Sequence, residues 1–303
     1  MRFLFSLLPI VALSRVTAIV TAIVPVVAPA MGDHKPKGSF EVHGHRGARA
    51  LEPENSMAAF HLAMDKGVHV IEADMVVTKD NHIVLNHDLT INTQLCHSND
   101  PKLKKLVTPK VSSLTLAQVQ SYDCGARVDP DFPQRKVRPG TRIPTLKELL
   151  ALANEHREYQ PQLKLNLETK IAKDASSKNV KQFVKLLLSE LRDSKFPPKN
   201  LIIQSFDFRS LRELRSTASK IEISALVGEG YDFEQVTQGL RPDYLSPHGS
   251  HISKTQIKAA HKLGIKVIPW TLNKPSHWSR FIGMGVDGII TDDPVGLLDY
   301  LKK

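Results

Sequence analysis

The sequence has 303 residues, of which 41% are hydrophobic and 24% charged, and its formal net charge is +10. This length and composition suit one large globular domain and exclude a disordered or low-complexity chain. The positive charge favours an anionic partner, but the basic residues are spread along the chain without interleaved aromatic residues, which argues against nucleic acid and favours a small phosphate-bearing substrate.

The first 30 residues predict an export signal. An apolar run from Phe3 to Leu13 is followed by a second run that ends in Ala28-Pro29-Ala30, a small-x-small sequence of the kind that signal peptidases recognise. Arg15 interrupts the apolar stretch, so cleavage after Ala18 and an uncleaved anchor are alternatives. We expect the mature protein in the periplasm or secreted, without stable insertion in a membrane after cleavage.

After a linker over residues 31–39, short apolar segments alternate with amphipathic ones through residue 303. The strand candidates are Phe40–His43, His69–Val76, Leu163–Glu168, Leu201–Phe206, Ile221–Val227, Tyr244–Ser246, Lys266–Thr271 and Gly288–Thr291. The helical patterns are Ser56–Lys66, Leu146–His156, Asn179–Asp193, Phe208–Ser216, Phe233–Gly239, Lys254–Leu263, Ser276–Met284 and Val295–Leu301. Eight strands alternating with eight helices predict one α/β domain over residues 40–303, closed as a (β/α)8 TIM barrel rather than an open sheet.

Residues 89–145 break this alternation with a turn-rich sequence. We interpret them as an insertion at the C-terminal face of the barrel, with one short helix over Thr115–Tyr122. Cys96 and Cys124 both lie in it, and an even pair in an exported protein predicts a disulfide. Two unrelated buried thiols are the alternative.

Acidic residues gather at the ends of the predicted strands, where (β/α)8 barrels carry their active sites. Glu72 and Asp74 are two residues apart on the second strand and therefore face the same side. Glu168 and Lys170 repeat this spacing on the third. Three converging carboxylates repel one another unless a cation neutralises them, and an all-oxygen set suits Mg²⁺ or Ca²⁺. Buried acids paired with Arg46 and Lys170 are the alternative.

Two histidines flank this acidic group. His45 ends the first strand, and His87 follows a turn and a short apolar run that returns the chain beside the second strand. The two histidines would lie on opposite sides of a phosphodiester. One would protonate the leaving oxygen and the other would activate the nucleophile, and either histidine could take either role. Arg46 and Lys170, with the metal, would neutralise the charge of the phosphoryl oxygens.

These residues resemble the signature of the glycerophosphodiester phosphodiesterase family. The similarity runs from residue 42 to the end and rests on the order and spacing of Gly44-His45-Arg46-Gly47, Pro53-Glu54-Asn55-Ser56, Ile71-Glu72-Ala73-Asp74, His87-Asp88, Leu167-Glu168-Thr169-Lys170, Gln204-Ser205-Phe206, Trp270-Thr271-Leu272-Asn273 and the segment from Gly285 to Pro294. The departures are mild, such as Ser56 where threonine is commoner.

The resemblance implies the same roles for the two histidines, the three carboxylates and the two cations. It adds that Glu54 orients neighbouring groups and that Phe206 and Trp270 wall the glycerol and alcohol pocket. The implied reaction is metal-dependent hydrolysis of glycerophosphodiesters to sn-glycerol 3-phosphate and an alcohol, as part of glycerophospholipid degradation. The cofactor is one divalent cation, Ca²⁺ or Mg²⁺.

Two other functions compete with this one. A sphingomyelinase D-like or phosphoinositide-cleaving lipase needs an apolar rim that faces a membrane, whereas the insertion is rich in lysine and turns. A binding protein on an inactive barrel usually lacks a catalytic histidine or a metal ligand, and this sequence retains the full set.

Several further residues are expected to have ordinary structural roles. His43 is interpreted as a buried, hydrogen-bonded histidine. His248 and His251 are interpreted as polar residues of a loop, with contact to the substrate as the alternative. Asp292 and Asp293 are interpreted as caps of the last helix, ahead of Pro294.

Overall fold

The computed structural model describes residues 39–218 and 220–303, so the predicted signal peptide over residues 1–30 lies outside the described residues. The strands are β1 (Glu41–Gly44), β2 (Val70–Val77), β3 (Ile83–Leu85), β4 (His97–Ser98), β5 (Tyr122–Asp123), β6 (Lys164–Thr169), β7 (Leu201–Ser205), β8 (Glu222–Val227), β9 (Tyr244–Pro247), β10 (Lys266–Val267) and β11 (Gly288–Thr291). The α-helices are α1 (Met57–Asp65), α2 (Leu116–Gln120), α3 (Leu146–His156), α4 (Ser177–Ser194), α5 (Phe208–Thr217), α6 (Lys254–Lys262), α7 (Pro275–Met284) and α8 (Pro294–Leu301).

Eight of the strands run parallel in the order β10-β9-β8-β7-β6-β2-β1-β11. Backbone hydrogen bonds close the ring between the two ends of this series. The N–H of Asp287 donates to the carbonyl of Val267 at 3.0 Å, and that of Ile290 donates to the carbonyl of Pro269 at 3.0 Å. The predicted TIM barrel is confirmed. Within the described part of the chain, no helix is both long and apolar enough to cross a membrane.

The barrel elements form where the sequence predicts them, with shifts of one or two residues at most ends. The strands are buried on both faces because helices cover the outside of the barrel. Several helices begin at a side-chain cap, such as Ser56 before α1 and Thr145 before α3. These caps fix the start of each helix at the C-terminal ends of the parallel strands, which we call the upper end of the barrel.

Two predicted barrel elements differ in the structure. The strand expected over 266–271 is regular only in β10, because Pro269 has no N–H to continue the ladder, although Trp270 still donates to the carbonyl of Pro247 at 3.0 Å. The helix expected over Phe233–Gly239 is a π-helix over Gln235–Leu240.

The insertion has a small core of its own beside the barrel. Eight of its side chains are buried and pack with Val76 of β2 and Val84 of β3: Ile91, Cys96, Leu103, Val111, Leu114, Val119, Tyr122 and Ile143. A disulfide joins Cys96 to Cys124 next to the β4–β5 hairpin. The expected helix is present as α2 but ends at Gln120, because Tyr122 pairs in β5.

Candidate active site

The three predicted metal ligands meet where the parallel strands end. Glu72 and Asp74 lie on β2 and Glu168 lies on β6, and the register of the two strands pairs Asp74 with Glu168. All three residues are buried, with 0%, 0% and 6% of their surface exposed. One oxygen of each lies within 4.8 Å of the others. Carboxylates this close could together hold one hard divalent cation through oxygen ligands.

The pKa values of these carboxyls diverge because they share one buried site. Burial and the charges of Asp74 and Glu168 raise the pKa of Glu72 well above its usual range. Burial and Asp74 raise the pKa of Glu168 to about 7. Against the effect of burial, Lys170 and Arg46 lower the pKa of Asp74.

One oxygen of this group also lacks a partner. Oδ1 of Asp74 has no hydrogen bond of good geometry within the described residues, although Nζ of Lys170 lies 3.1 Å away. A divalent cation would satisfy this oxygen and keep all three carboxyls ionised. The residues therefore fit the metal that the family resemblance implies.

Two cations reach the carboxylates from the rim. Nε of Arg46 lies 3.3 Å from Oδ2 of Asp74, and Nζ of Lys170 lies 2.6 Å from Oε1 of Glu168. The backbone of Arg46 is left-handed, with a φ of 51°, and its N–H donates to Glu72 at 2.7 Å. This tight turn presents both the backbone and the side chain of Arg46 to the acidic group.

Gly47 completes the same turn. Its φ is +84°, and a Cβ at this position would lie 2.7 Å from the backbone of Ala59. A larger residue would therefore push the turn away from α1 and displace Arg46.

Two amide side chains hold the carboxylates in place. Gln204 on β7 donates to Oε1 of Glu72 at 2.8 Å. Asn55 donates to Oδ2 of Asp74 at 2.8 Å and accepts from the N–H of Asp74 at 3.1 Å. Neither amide has a role assigned from the sequence, although a glutamine directly after the apolar residues Leu201–Ile203 of a buried strand is a usable signal.

His45 is oriented by an acidic partner that comes from far along the chain. Its Nδ1 lies 2.6 Å from Oδ1 of Asp292, and the other oxygen of this carboxylate, Oδ2, accepts from Nδ2 of Asn273 at 2.6 Å. Against the effect of burial, the hydrogen bond from His45 lowers the pKa of Asp292, so the aspartate is ionised and accepts the proton of Nδ1. Nε2 of His45 is then left for proton exchange with a substrate.

The interpretation of Asp292 as a helix cap is therefore wrong. The next residue, Asp293, caps α8 by accepting from the N–H of Gly296 at 2.8 Å. Adjacent side chains on an extended backbone point to opposite sides, and so Asp292 points to the site while Asp293 points to the helix.

His87 lies on the rim of the same site. It follows β3, whose antiparallel pairing with β2 returns the chain to the site, as expected. Its Nδ1 lies 2.9 Å from Oδ1 of Asp88, and 35% of its side chain is exposed. Burial and the charges of Arg46 and Lys170 lower the pKa of His87, against the raising effect of Asp74. The neutral imidazole therefore predominates at neutral pH.

A polar cavity of about 370 Å³ opens at this rim and is lined in part by Arg46, Glu54 and His87. Glu54 accepts from Nη1 of Arg46 at 2.8 Å and lies 2.6 Å from Nε of Arg49. The guanidinium of Arg49 stacks on Phe132 of the insertion, 4.8 Å from the ring centre. Glu54 thus lies between two arginines, and its orienting role stays a prediction.

The two predicted aromatic wall residues contact each other. Phe206 follows β7 with 52% of its surface exposed, and its ring lies edge-on to Trp270 at 5.6 Å between centroids. Trp270 is fixed by a hydrogen bond from Nε1 to the carbonyl of Ser246 at 2.8 Å. The ring of His248 also lies edge-on to that of Trp270, with 5.0 Å between centroids. His248 thus lies in the loop after β9, beside the two aromatic residues.

The comparisons with known proteins agree with this geometry. The sequence model of the glycerophosphoryl diester phosphodiesterase family matches residues 45–295. A glycerophosphodiester phosphodiesterase of Caldanaerobacter subterraneus is 30% identical over 264 residues, which cover 86% of this chain and 98% of that protein.

Solved structures share the fold along nearly their whole length. A Silicibacter pomeroyi protein named for the glycerophosphoryl diester phosphodiesterases superposes with a TM-score of 0.81 at 26% identity, covering 89% of this chain and 95% of that one. An Oleispira antarctica phosphodiesterase, solved with the product sn-glycerol-3-phosphate, has a TM-score of 0.72 at 22% identity, covering 87% and 97%. The match of the family model over most of the chain shows that this protein belongs to the glycerophosphoryl diester phosphodiesterase family and is a phosphodiesterase of that kind.

Proposed function

We propose that the protein hydrolyses small glycerophosphodiesters to sn-glycerol 3-phosphate and an alcohol, with one divalent cation and the pair His45 and His87. The observation that carries this proposal is the buried group of three carboxyls, which outnumber the two cations beside them and lie near two neutral histidines. Such a group is costly to bury unless it binds a cation.

The cation would be held by Glu72, Asp74 and Glu168, and when bound it would polarise the phosphoryl oxygens. Arg46 and Lys170 pair with these carboxylates in the structure. With the charge of the carboxylates neutralised, both side chains are available to bind the phosphate of the substrate. All of these site roles stay predictions.

The histidines would carry the protons. Hydrolysis forms a bond from a nucleophilic oxygen to phosphorus and breaks the bond from phosphorus to the oxygen of the alcohol. One histidine removes the proton of the nucleophile and the other donates a proton to the leaving oxygen. Asp292 stabilises the imidazolium form of His45 through the contact at Nδ1, in the way that a carboxylate supports the base of a catalytic triad.

The test is to incubate the purified mature protein with glycerophosphocholine and Mg²⁺ or Ca²⁺ and to measure both products. We expect choline and sn-glycerol 3-phosphate in equal amounts. Release of phosphocholine and glycerol instead would mean that the other ester bond is cleaved, and it would contradict the proposed binding of the glycerol moiety beside Phe206 and Trp270.

We also propose that the protein is exported. The apolar sequence over residues 1–30 supports this, and so does the Cys96–Cys124 disulfide, since disulfides persist mainly in oxidising compartments. N-terminal sequencing of the protein from fractionated cells should begin after Ala30 or Ala18. A full-length chain with two free thiols in the cytosol would contradict export.

A second candidate substrate is a glycerophosphodiester that retains one acyl chain. An apolar groove of about 550 Å³ lies between the insertion, β2 and α4. Thr90 lines both this groove and the polar cavity, and Lys170 lines the groove while contacting the acidic group. An acylated substrate needs an apolar surface beside the site. The lysine-rich composition of the insertion argues against such a surface, but this groove provides one.

Lysophosphatidylcholine tests this candidate against glycerophosphocholine. Leu89 lines the groove and has 38% of its surface exposed, so Leu89→Asp should lower kcat/KM on lysophosphatidylcholine alone. The acylated substrate would be ruled out if Leu89→Asp affected both substrates equally or if the parent did not hydrolyse lysophosphatidylcholine.

A further inference from the structure

The ends of α1 and α3 carry a second group of side chains suited to a metal ion. His61 and Asp65 are one turn apart on α1 and so share a face of that helix. His156 is the last residue of α3, which packs beside α1. One ligand atom from each of the three residues lies within 4.8 Å of the others.

This group is separate from the candidate active site. α1 begins after Ser56, next to the Asn55 side chain that contacts Asp74. His61 lies at the middle of the helix and Asp65 is its last residue, and a helix of this length extends about 13 Å. Because α1 leads away from the upper end of the barrel, its last turn is at the opposite face.

The orientation of His156 favours a metal ligand. Its Nδ1 lies 3.1 Å from the carbonyl oxygen of Leu152, which can only accept, so the ring proton belongs on Nδ1. Nε2 then carries a lone pair and lies 3.0 Å from Oδ1 of Asp65, which is also an acceptor. Two acceptors at this distance need a cation between them or a second proton on the imidazole. A backbone carbonyl behind the ring is the usual support of a metal-bound histidine.

His61 completes the group. Its ring lies edge-on to that of His156, with 5.4 Å between centroids. Two ligand atoms on a tetrahedral zinc ion are about 3.4 Å apart, given metal–ligand distances near 2.1 Å. The spacing between Asp65 and His156 is already shorter than this. His61 and Asp65 are exposed and have room for the small side-chain rotation that would bring in the third ligand.

We propose that His61, Asp65 and His156 form a binding site for a borderline divalent transition metal, with Zn²⁺ as its representative. Two imidazole nitrogens and one carboxylate oxygen leave a fourth position for water, and this donor set prefers Zn²⁺ to Ca²⁺ or Mg²⁺. The all-oxygen group at the other end of the barrel has the reverse preference. A metal at this site links α1 to α3 and stabilises the folded barrel, since the unfolded chain does not hold the three ligands together.

Equilibrium dialysis against Zn²⁺ tests the site directly. The parent protein, His61→Ala and His156→Ala are compared at the same free Zn²⁺, with His277→Ala as the control because His277 is exposed on α7. We expect the parent and the control to bind one more equivalent of Zn²⁺ than either site variant. Hydrolysis of glycerophosphocholine with Mg²⁺, together with far-ultraviolet circular dichroism, verifies that the variants are folded.

Asp65→Asn supplies a second measurement. It removes the anionic ligand from an exposed position, so it should weaken Zn²⁺ binding and abolish the rise in melting temperature that Zn²⁺ gives the parent. If all variants bind as much Zn²⁺ as the parent, and Zn²⁺ shifts their melting temperatures equally, the group is an ion pair between protonated His156 and Asp65 and the proposal is wrong.

Discussion

Two networks of charged side chains share the interior of the barrel, and they differ in how completely they are paired. In the lower network, Nζ of Lys164 lies 2.9 Å from Glu41 and 3.0 Å from the hydroxyl of Tyr244. That hydroxyl donates to Glu222 at 3.1 Å. His43 is buried with 1% exposure and contacts Glu41 at 3.3 Å. Each charge in this network has an opposite charge or a hydrogen-bond partner next to it.

The upper network has more carboxyl groups than cations. Glu72, Asp74 and Glu168 face two cations, and one oxygen of Asp74 has no hydrogen-bond partner in the described residues. A network that is paired internally holds the fold together, whereas one with unpaired groups is arranged for a ligand. From this difference we predict that the lower network contributes to stability and the upper one to chemistry.

Removal of a histidine should give the largest difference between the two networks. His45→Ala and His87→Ala should each lower kcat by about 10²–10⁴-fold, because general acid–base catalysis typically contributes that much. His43→Gln is the matched control, two residues before His45, and it should lower stability with little change in kcat. Steady-state kinetics with melting temperatures separates the effects. A near-normal kcat for His45→Ala would contradict the assignment of the upper network to catalysis.

The link between the networks offers a second test. Gln204 donates to Glu72 and accepts from Nδ2 of Asn166 at 2.8 Å, and Asn166 in turn approaches His43. Gln204→Met keeps the volume of the side chain but removes the support of Glu72, so metal affinity should fall by about 10–100-fold. A titration of activity with Mg²⁺ should show that excess metal restores most of the rate. An unchanged titration midpoint would mean that Glu72 does not bind the metal.

Loss of the cation of the lower network should lower the stability of the folded protein. Lys164→Met leaves Glu41 and Glu222 without their shared partner. Breaking a fully buried pair costs about 3–5 kcal/mol, and the partial exposure of these side chains reduces the expected loss to about 2 kcal/mol. Denaturant unfolding measures the loss, and kcat at saturating metal should be unchanged. A large fall in kcat in the folded variant would contradict the division between the networks.

Acid should destabilise the lower network gradually. Burial lowers the pKa of His43 from its ordinary value of 6.5, against the raising effect of Glu41. The folded state therefore binds fewer protons than the unfolded state, so the contribution of His43 is complete above pH 6.5 and is lost as the pH falls below it. Between neutral pH and pH 5, the melting temperature of the parent should fall further than that of His43→Gln. Parallel curves would show that His43 titrates normally in the folded protein.

The parts of the site that the sequence predicts are those set by local spacing. Glu72 and Asp74 share a face because strand side chains alternate, and Glu168 joins them because parallel strands end together. The contact of His45 with Asp292 joins residues 247 positions apart, and that of Gln204 with Glu72 spans 132 positions. Closure of the barrel brings these pairs together, and no local pattern indicates which polar residue meets which.

The insertion shows the same limit in the fold. Its turns and cysteines predict a separate segment at the mouth of the barrel, but its core depends on contacts with β2 and β3 that local sequence does not specify. The apolar groove between the insertion and α4 is formed in the same way, by surfaces from distant parts of the chain.

Activity after removal of metal tests most directly whether the upper network works through a divalent cation. The mature protein should lose hydrolysis of glycerophosphocholine in EDTA and regain it when Mg²⁺ or Ca²⁺ is added in excess. Its melting temperature should fall on metal removal, because the three carboxylates then repel one another. Full activity in EDTA, from protein verified to be free of metal, would contradict the assignment of Glu72, Asp74 and Glu168 as ligands of a catalytic cation.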